Sequence, residues 1–272
     1  MVIFNNNVDI IFLILSSQDE YYDQFVTNFW LPFIKVCEEK CMNIKFIFMY
    51  GENRNIDKLI PSEYLLQTNI KEERIPGCLN KTIEGYKYVL KNYNFNYIYR
   101  CNLSSFIILD IFMEFYNTIK NNDYYIGQPV INHGCMDYID EFMSGAGFFT
   151  SKNYSQFLLD SISKEENFIP FKENLKPLRY LPDDVAVGII LKNKNKFRKN
   201  RFDVSSNKMW QSGNETIFVD NLLTEENIKY MIDICYRKKL FHIRFKTEHR
   251  NNDAQNMRIL FQYYYKKNNI CK

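Results

Sequence analysis

The chain predicts an α/β fold, a central and mostly parallel sheet with helices on both faces. Three observations predict it. Ile10-Ile11-Phe12-Leu13-Ile14-Leu15 is a continuous apolar run, the pattern of a strand buried on both faces. Lys45 to Tyr50 is a second such run, ended by Gly51-Glu52-Asn53. Between and after these runs lie stretches with helical periodicity, and strand–helix alternation calls for a parallel sheet with helical crossovers.

Ser16-Ser17-Gln18-Asp19 closes the first strand with capping residues, and 21–40 reads as a helix bent or restarted around Pro32. Residues 78–93 place Leu79, Ile83, Tyr86 and Leu90 on one helical stripe. Residues 96–100 read as a short third strand. Residues 105–120 read as another amphipathic helix, with Ile108, Phe112, Phe115 and Tyr116 inward. After Tyr124 the strands shorten, 124–129 and 144–151 being the clearest. Basic, polar 192–201 reads as an exposed loop. The tail reads as a helix at 225–238, a strand at 241–245 and a helix from about 253 to 265. In parallel sheets ligands bind beyond the carboxyl ends of the strands, so the loops at 16–19, 51–53 and 101–104 form the expected rim of a site.

Composition narrows the function classes. At 272 residues and 46% hydrophobic, the chain can bury one large core or two smaller ones. A net charge of +3 is too small to imply a nucleic-acid partner. The seven cysteines form no CxxC pair and no zinc spacing, and are read as reduced thiols of a cytoplasmic protein. Cys37 and Cys41, four apart on a helix, read as two small buried hydrophobes. The N-terminus has no basic leader, and 10–15 is too short to cross a membrane. Sequons at Asn80, Asn102, Asn153 and Asn214 read as coincidence in an Asn-rich chain. The excess of Asn, Lys, Ile and Tyr fits an AT-rich genome, such as that of a large DNA virus.

The most informative segment is Leu181-Pro182-Asp183-Asp184-Val185-Ala186-Val187-Gly188. Two carboxylates follow a proline and precede an apolar, helix-compatible run. Asp is a preferred N-cap, and the helix dipole favours its ionised form. A carboxylate held there beside a cleft can take a proton from a sugar hydroxyl. Taken alone, the pair reads first as a helix cap with a charged neighbour.

Three earlier segments change its weight: Leu79-Asn80-Lys81-Thr82, Tyr97-Ile98-Tyr99-Arg100-Cys101-Asn102-Leu103-Ser104-Ser105-Phe106, and Phe142-Met143-Ser144-Gly145-Ala146-Gly147-Phe148-Phe149-Thr150-Ser151. With 181–188 they resemble, in order, the motifs of the inverting β-1,3-glycosyltransferases of the Fringe and β-1,3-galactosyltransferase group. The resemblance covers roughly residues 75 to 192. It implies a single GT-A-like domain over 1–272, with 1–120 the nucleotide-sugar half and 121–272 the acceptor half. It implies a nucleotide-sugar donor, most simply a UDP-sugar, a glycan or protein acceptor, and inversion by single displacement. Asp184 takes the place of the general base, and Asp183, Gly145, Ala146 and Gly147 those of acceptor or sugar contacts. Ser16, Ser17, Glu52, Lys81, Arg100, Asn102 and Ser104 are the expected donor contacts.

One departure stands out. Where this group carries an Asp-x-Asp triplet for manganese, the chain has Asn102, Leu103 and Ser104. Neutral oxygens are poor ligands for a hard dication, so manganese is not expected to be held there. His242 is at most a metal ligand, by resemblance to the group's tail histidine. Alternation on a strand puts His242, Arg244 and Lys246 on one face, where they can meet a diphosphate without metal or form a solvated face. The competing reading is a non-catalytic nucleotide-sugar or glycan-binding protein on the same fold, for which a base at Asp184 has no use. No GxGxxG or P-loop opens any expected helix, and no histidine sits in a nucleophile motif.

Overall fold

The computed structural model describes residues 7–17, 19–52, 59–131, 141–163, 168–171, 174–191, 195–206 and 215–267. Gln18, Asn53, Asn214 and residues 192–194 of the segments read above lie outside the described residues. In chain order the strands are β1 (Asn7–Leu15), β2 (Ile44–Tyr50), β3 (Leu65–Gln67), β4 (Asn94–Asn102), β5 (Ser105–Ile107), β6 (Tyr125–Ile131), β7 (Glu141–Ser151), β8 (Phe168–Phe171), β9 (Asn174–Pro177), β10 (Asn195–Phe197), β11 (Arg201–Ser205), β12 (Glu215–Phe218) and β13 (His242–Lys246). The helices are α1 (Asp23–Phe25), α2 (Leu31–Glu39), α3 (Gly77–Asn92), α4 (Leu109–Ile119), α5 (Lys152–Ile162), α6 (Asp183–Leu191), α7 (Glu225–Lys238) and α8 (Arg250–Phe261). Two compact units interleave along the chain, and the expected halves at 1–120 and 121–272 each contribute to both.

The first unit (1–18, 43–102 and 119–198) is built on a mixed seven-stranded sheet of order β10-β6-β7-β4-β1-β2-β3. Strands β3, β2, β1 and β4 run parallel to one another, and β7 pairs antiparallel with β4 and β6. The apolar run from Ile10 to Ile14 is fully buried, because β1 lies in the middle of the sheet with both of its faces covered. On one face, α3, α5 and α6 pack on the sheet and on one another around Leu13, Ile98, Phe148, Tyr86, Leu158 and Val187. The other face carries a fully buried aromatic layer, with Phe12 stacked on Phe46 at 5.0 Å and Tyr99 against Phe149 at 4.5 Å.

Helix α3 approaches the sheet through Gly85. A Cβ there would lie 2.2 Å from Met49 Sδ and 3.0 Å from Leu13 Cδ2. The buried stripe of α3 therefore runs through Leu79, Thr82, Gly85, Tyr86 and Val89 and includes Lys81, while Ile83 and Leu90 are half-buried. This corrects the apolar periodicity read from the sequence, which gave no weight to glycine, Thr82 or a buried lysine.

The second unit (19–42, 103–118 and 199–272) has a four-stranded sheet of order β12-β11-β13-β5, antiparallel only at β13–β5. An aromatic cluster of Phe29, Trp30, Phe33, Phe106, Phe261 and Tyr265 fills its core. Its polar tips are satisfied: Trp30 Nε1 donates to Leu103 O at 2.9 Å, and the Tyr265 hydroxyl to Ile107 O at 2.7 Å. A π-helical stretch, Val26–Trp30, precedes α2, whose first turn holds Pro32, so the expected helix over 21–40 restarts there. Helix α7 starts at a capping box formed by Thr224 and Asn227 and ends before Lys239, which adopts φ 55°.

Three further readings are corrected. The segment 105–107 is a strand, because Ser105, Phe106 and Ile107 pair with Arg244, Ile243 and His242 of β13; the helix begins at Leu109. In the segment read as an exposed loop, the described part 195–201 contains β10 at the edge of the large sheet, and Asn200 and Arg201 are buried. Cys37 is buried but Cys41 is exposed, since α2 ends at Glu39 and Cys41 turns out of it with φ 52°.

Candidate functional site

The parallel strands of the first unit end along one sheet edge, and polar side chains of α3, β4, β7 and α6 gather there. Ser16 directly follows β1 and Gly51 directly follows β2. Lys81, reaching from the first turns of α3, is only 1% exposed. Its Nζ donates to Ser16 O at 2.7 Å and to Glu72 Oε2 at 2.6 Å, and Glu72 Oε1 accepts from Gly51 N at 2.6 Å. A buried ammonium needs such partners, since desolvating an unpaired charge is far more costly than any packing gain. Lys81 and Glu72 thereby tie together the ends of β1 and β2.

Beside this pair, Arg100 projects from β4 and is 1% exposed. Its guanidinium donates to Asn102 Oδ1 at 3.0 Å, to the carbonyl of Gly145 on β7 and to Oδ2 of Asp183 on α6. Thr82 Oγ1 donates to the same Asp183 oxygen at 3.2 Å. Burial acts to lower the Arg100 pKa, but the charges of Asp183 and then Asp184 raise it by more, so the guanidinium stays charged.

Asp183 and Asp184 open α6. Pro182 holds the N-cap position, because its carbonyl accepts from Ala186 N at 3.0 Å. Both aspartates therefore lie in the first turn, where the helix dipole favours negative charge, and Asp183 is committed to Arg100 and Thr82 rather than to capping. Asp184 Oδ2 accepts from Gly145 N at 2.8 Å, and its Oδ1 from Val185 N at 3.0 Å. Only a glycine fits opposite it without displacement, since a Cβ on residue 145 would lie 3.0 Å from Asp184 Oδ2 and 3.1 Å from its Cγ. Burial, and then the charge of Asp183, raise the Asp184 pKa against the opposing pull of the Gly145 amide and Arg100. The result is a carboxylate held by two N–H groups with raised proton affinity, which suits a general base.

The first unit thus brings together Ser16, Lys81, Arg100, Asn102, Gly145, Asp183 and Asp184. Ala146 is buried and its N–H donates to Ser144 Oγ at 3.3 Å; Gly147 pairs with Cys101 across the β4–β7 ladder. Ser17 and Glu52 are half-buried in the turns after β1 and β2, the latter's N–H donating to Ile70 O at 2.8 Å.

Ser104, His242, Arg244 and Lys246 belong to the second unit. There Ser104 O accepts from Phe245 N at 3.0 Å. On β13 His242 is fully buried, while Arg244 and Lys246 are half-buried, so the row is not a solvated face. Burial, then Arg201 and Arg244, push the His242 pKa well below its usual value, so its imidazole is neutral. Arg201 on the adjacent β11 is buried with its Nε 2.8 Å from Asp203 Oδ1.

Sequence reasoning missed Glu72 and gave Thr82 no role. Glu72 sits in the charged run Lys71-Glu72-Glu73-Arg74, which has the pattern of a solvated turn. Thr82 stood inside a motif, and its hydroxyl was readable only as a helix residue. Among the described residues no cluster of three or more His, Cys, Asp or Glu side chains is placed to hold a metal, and no helix is long and apolar enough to cross a membrane.

No protein-family model and no curated protein matches the chain. Solved structures do resemble it. One is the catalytic domain of Drosophila β1,4-galactosyltransferase 7 in complex with xylobiose, at 9% identity and a TM-score of 0.36, covering 70% of this chain and 63% of that one. A mutant of the same Drosophila enzyme, in complex with manganese, UDP-Gal and xylobiose, gives 9% identity and a TM-score of 0.38, with 70% and 64% covered. A glycosyltransferase involved in glycosylation of the major capsid of PBCV-1 gives 9% identity and a TM-score of 0.42, with 92% and 98% covered. The chain thus spans a little under two thirds of the Drosophila chains and nearly all of the viral one.

Proposed function

We propose that the chain is an inverting glycosyltransferase of the GT-A type, acting on a nucleotide-sugar donor with Asp184 as its general base. The observation that carries this reading is the setting of Asp184: first turn of α6, proton affinity raised by burial and by Asp183, one oxygen aimed by the Gly145 amide. The order of the four motifs along the chain supports it. In the reaction the acceptor O–H gives its proton to the Asp184 carboxylate as its oxygen bonds to the anomeric carbon. The bond from that carbon to the diphosphate oxygen breaks on the opposite face, and the nucleoside diphosphate leaves with the electron pair. Positioning of donor and acceptor and stabilisation of the departing charge supply most of the rate gain. The donor we propose is a UDP-sugar, and the acceptor a hydroxyl of a glycan or protein.

Manganese does not fit the residues in the place of the acidic triplet. Asn102 Oδ1 already accepts from the Arg100 guanidinium and the nearby Asp183 is tied to the same group, so a dication there would face a fixed positive charge with neutral donors. No step of the proposed reaction passes through a metal. On β13 of the second unit, Arg244 and Lys246 are cations of the kind that bind phosphate oxygens, while a neutral His242 offers a hydrogen bond rather than charge.

The test is release of nucleoside diphosphate across a panel of nucleotide sugars, with and without exhaustive chelation, for the wild type and Asp184→Asn. Release from one donor that persists under chelation and is lost in Asp184→Asn is the expected result. Donor binding without turnover, unchanged in Asp184→Asn, would replace the enzyme with a sugar-nucleotide binder. Activity restored only by manganese would overturn the metal-free reading.

A further inference from the structure

We infer that Arg100 and Asp183 form a neutral clamp that places and tunes the Asp184 carboxylate, which makes Arg100 a positioning residue. The inference rests on the reading of Asp184 as the base and names what holds it.

The geometry is a closed set of contacts. Arg100 donates to the carbonyl of Gly145, whose own amide donates to Asp184 Oδ2 at 2.8 Å. Gly145 is thus gripped at its carbonyl by the arginine and presents its N–H to the base. Arg100 also donates to Asp183 Oδ2, which Thr82 Oγ1 approaches to 3.2 Å. The arginine touches both neighbours of Asp184, along the helix and across the strand. At 1% exposure, and with Phe148 under its guanidinium at 5.8 Å, it cannot turn to a ligand without breaking the Asp183 pair. A buried guanidinium fixed on a backbone carbonyl and a carboxylate has the geometric role that flexible Lys lacks.

The electrostatics points the same way. Adjacent aspartates in one helical turn repel, and an uncompensated Asp183 would keep Asp184 protonated to higher pH. Arg100, paired with Asp183, offsets part of that charge at its source. The other ionisable groups that reach the two aspartates are Tyr125 on β6 and Cys78 and Tyr86 on α3, and burial raises all three pKa values so that they stay neutral. Lys81 is occupied by Glu72. The charge felt by Asp184 is therefore set by the Arg100–Asp183 pair.

The experiment follows the Asp184 carboxyl by carbon NMR titration in protein labelled at aspartate, the resonance being the one absent from Asp184→Asn. Three variants are compared: Asp183→Asn, Arg100→Gln, and the double variant. Asp183→Asn leaves an unpaired cation and should lower the Asp184 midpoint by about one pH unit; Arg100→Gln should raise it by about as much; the double variant should return near wild type. The acid limb of the kcat profile should move in the same order. A merely structural role predicts loss of folded protein in both single variants without opposed midpoints. If Arg100→Gln does not fold, Asp183→Asn and the neutral double variant still decide. Midpoints that stay fixed, or move in one direction in every variant, overturn the clamp. The titration needs no turnover, so opposed midpoints in a protein that transfers no sugar would keep the clamp and discard the glycosyltransferase reading.

Discussion

Adding one methyl group at residue 145 should separate catalysis from stability. In Gly145→Ala the new Cβ would sit 3.0 Å from Asp184 Oδ2 and 3.1 Å from its Cβ and Cγ, where unstrained carbon contacts begin near ~3.5 Å. Something must give by a few tenths of an ångström. Gly145 lies in the break of the β6–β7 ladder between Met143 and Phe148, where its carbonyl is held by the Arg100 guanidinium, and the first turn of α6 is anchored by buried Val185 and Ala186. The carboxylate is the softest of these, so it rotates and its bond to the Gly145 amide lengthens. Such a local shift should cost about 1 kcal/mol of stability, the low end for overpacking. If Asp184 is the base proposed above, the effect on catalysis is larger in proportion. A misplacement of about 1 Å lowers rate by roughly 10²-fold, so a few tenths should lower kcat about tenfold, or ~1.4 kcal/mol. The assay pairs nucleoside diphosphate release at saturating donor with urea unfolding of the same preparation. Wild-type kcat in folded Gly145→Ala would refute the reasoning, as would a loss of activity no greater than the loss of folded protein.

Gly85→Ala is the matching control: its Cβ would meet Met49 Sδ at 2.2 Å, and repacking of that side chain should cost ~1–3 kcal/mol, partly offset by ~1 kcal/mol of helix preference. The urea midpoint should fall while kcat per folded molecule stays the same. Asp184→Asn should lose transfer and gain stability at neutral pH. Burial and Asp183 raise the native pKa of Asp184, so its charge opposes folding above that pKa and has no effect below the unfolded value of ~3.9. Its melting temperature should exceed wild type at pH 7, and the difference should close as pH falls through that window. Lys81→Met removes one member of the buried pair with Glu72 and should cost about 3 kcal/mol in chemical denaturation, with Glu72→Gln recovering part of the loss in the double variant.

The architecture was readable wherever a pattern ran long enough. The runs at 10–15 and 45–50 mark β1 and β2 because central strands of a parallel sheet alternate nothing, and α7 spans the expected 225–238. Short elements were not readable. β5 is three residues long, abuts α4 and owes its existence to β13, far away in sequence; local periodicity merges it with the helix. β10 sits in a stretch rich in Lys and Asn because it is an edge strand, where apolar character is not required.

Asp183, Asp184, Gly145, Lys81 and Arg100 could all be picked from the sequence, but their bonds could not. A lysine or arginine in a motif reads as a hand held out to a ligand, since nothing local reveals a partner. Here Lys81 is paired with Glu72 and Arg100 with Asp183, both below the surface. That changes the chemistry expected of this sheet edge. The two pairs cancel, and the charge left in the cluster is the carboxylate of Asp184. Such a cluster can take up a proton at Asp184 but does not attract a diphosphate, whose negative charge that carboxylate would repel. If the proposed transfer is right, a donor's diphosphate is met by cations outside this row, their removal should raise KM, and variants of Arg100 and Asp183 should instead shift the pH dependence of kcat.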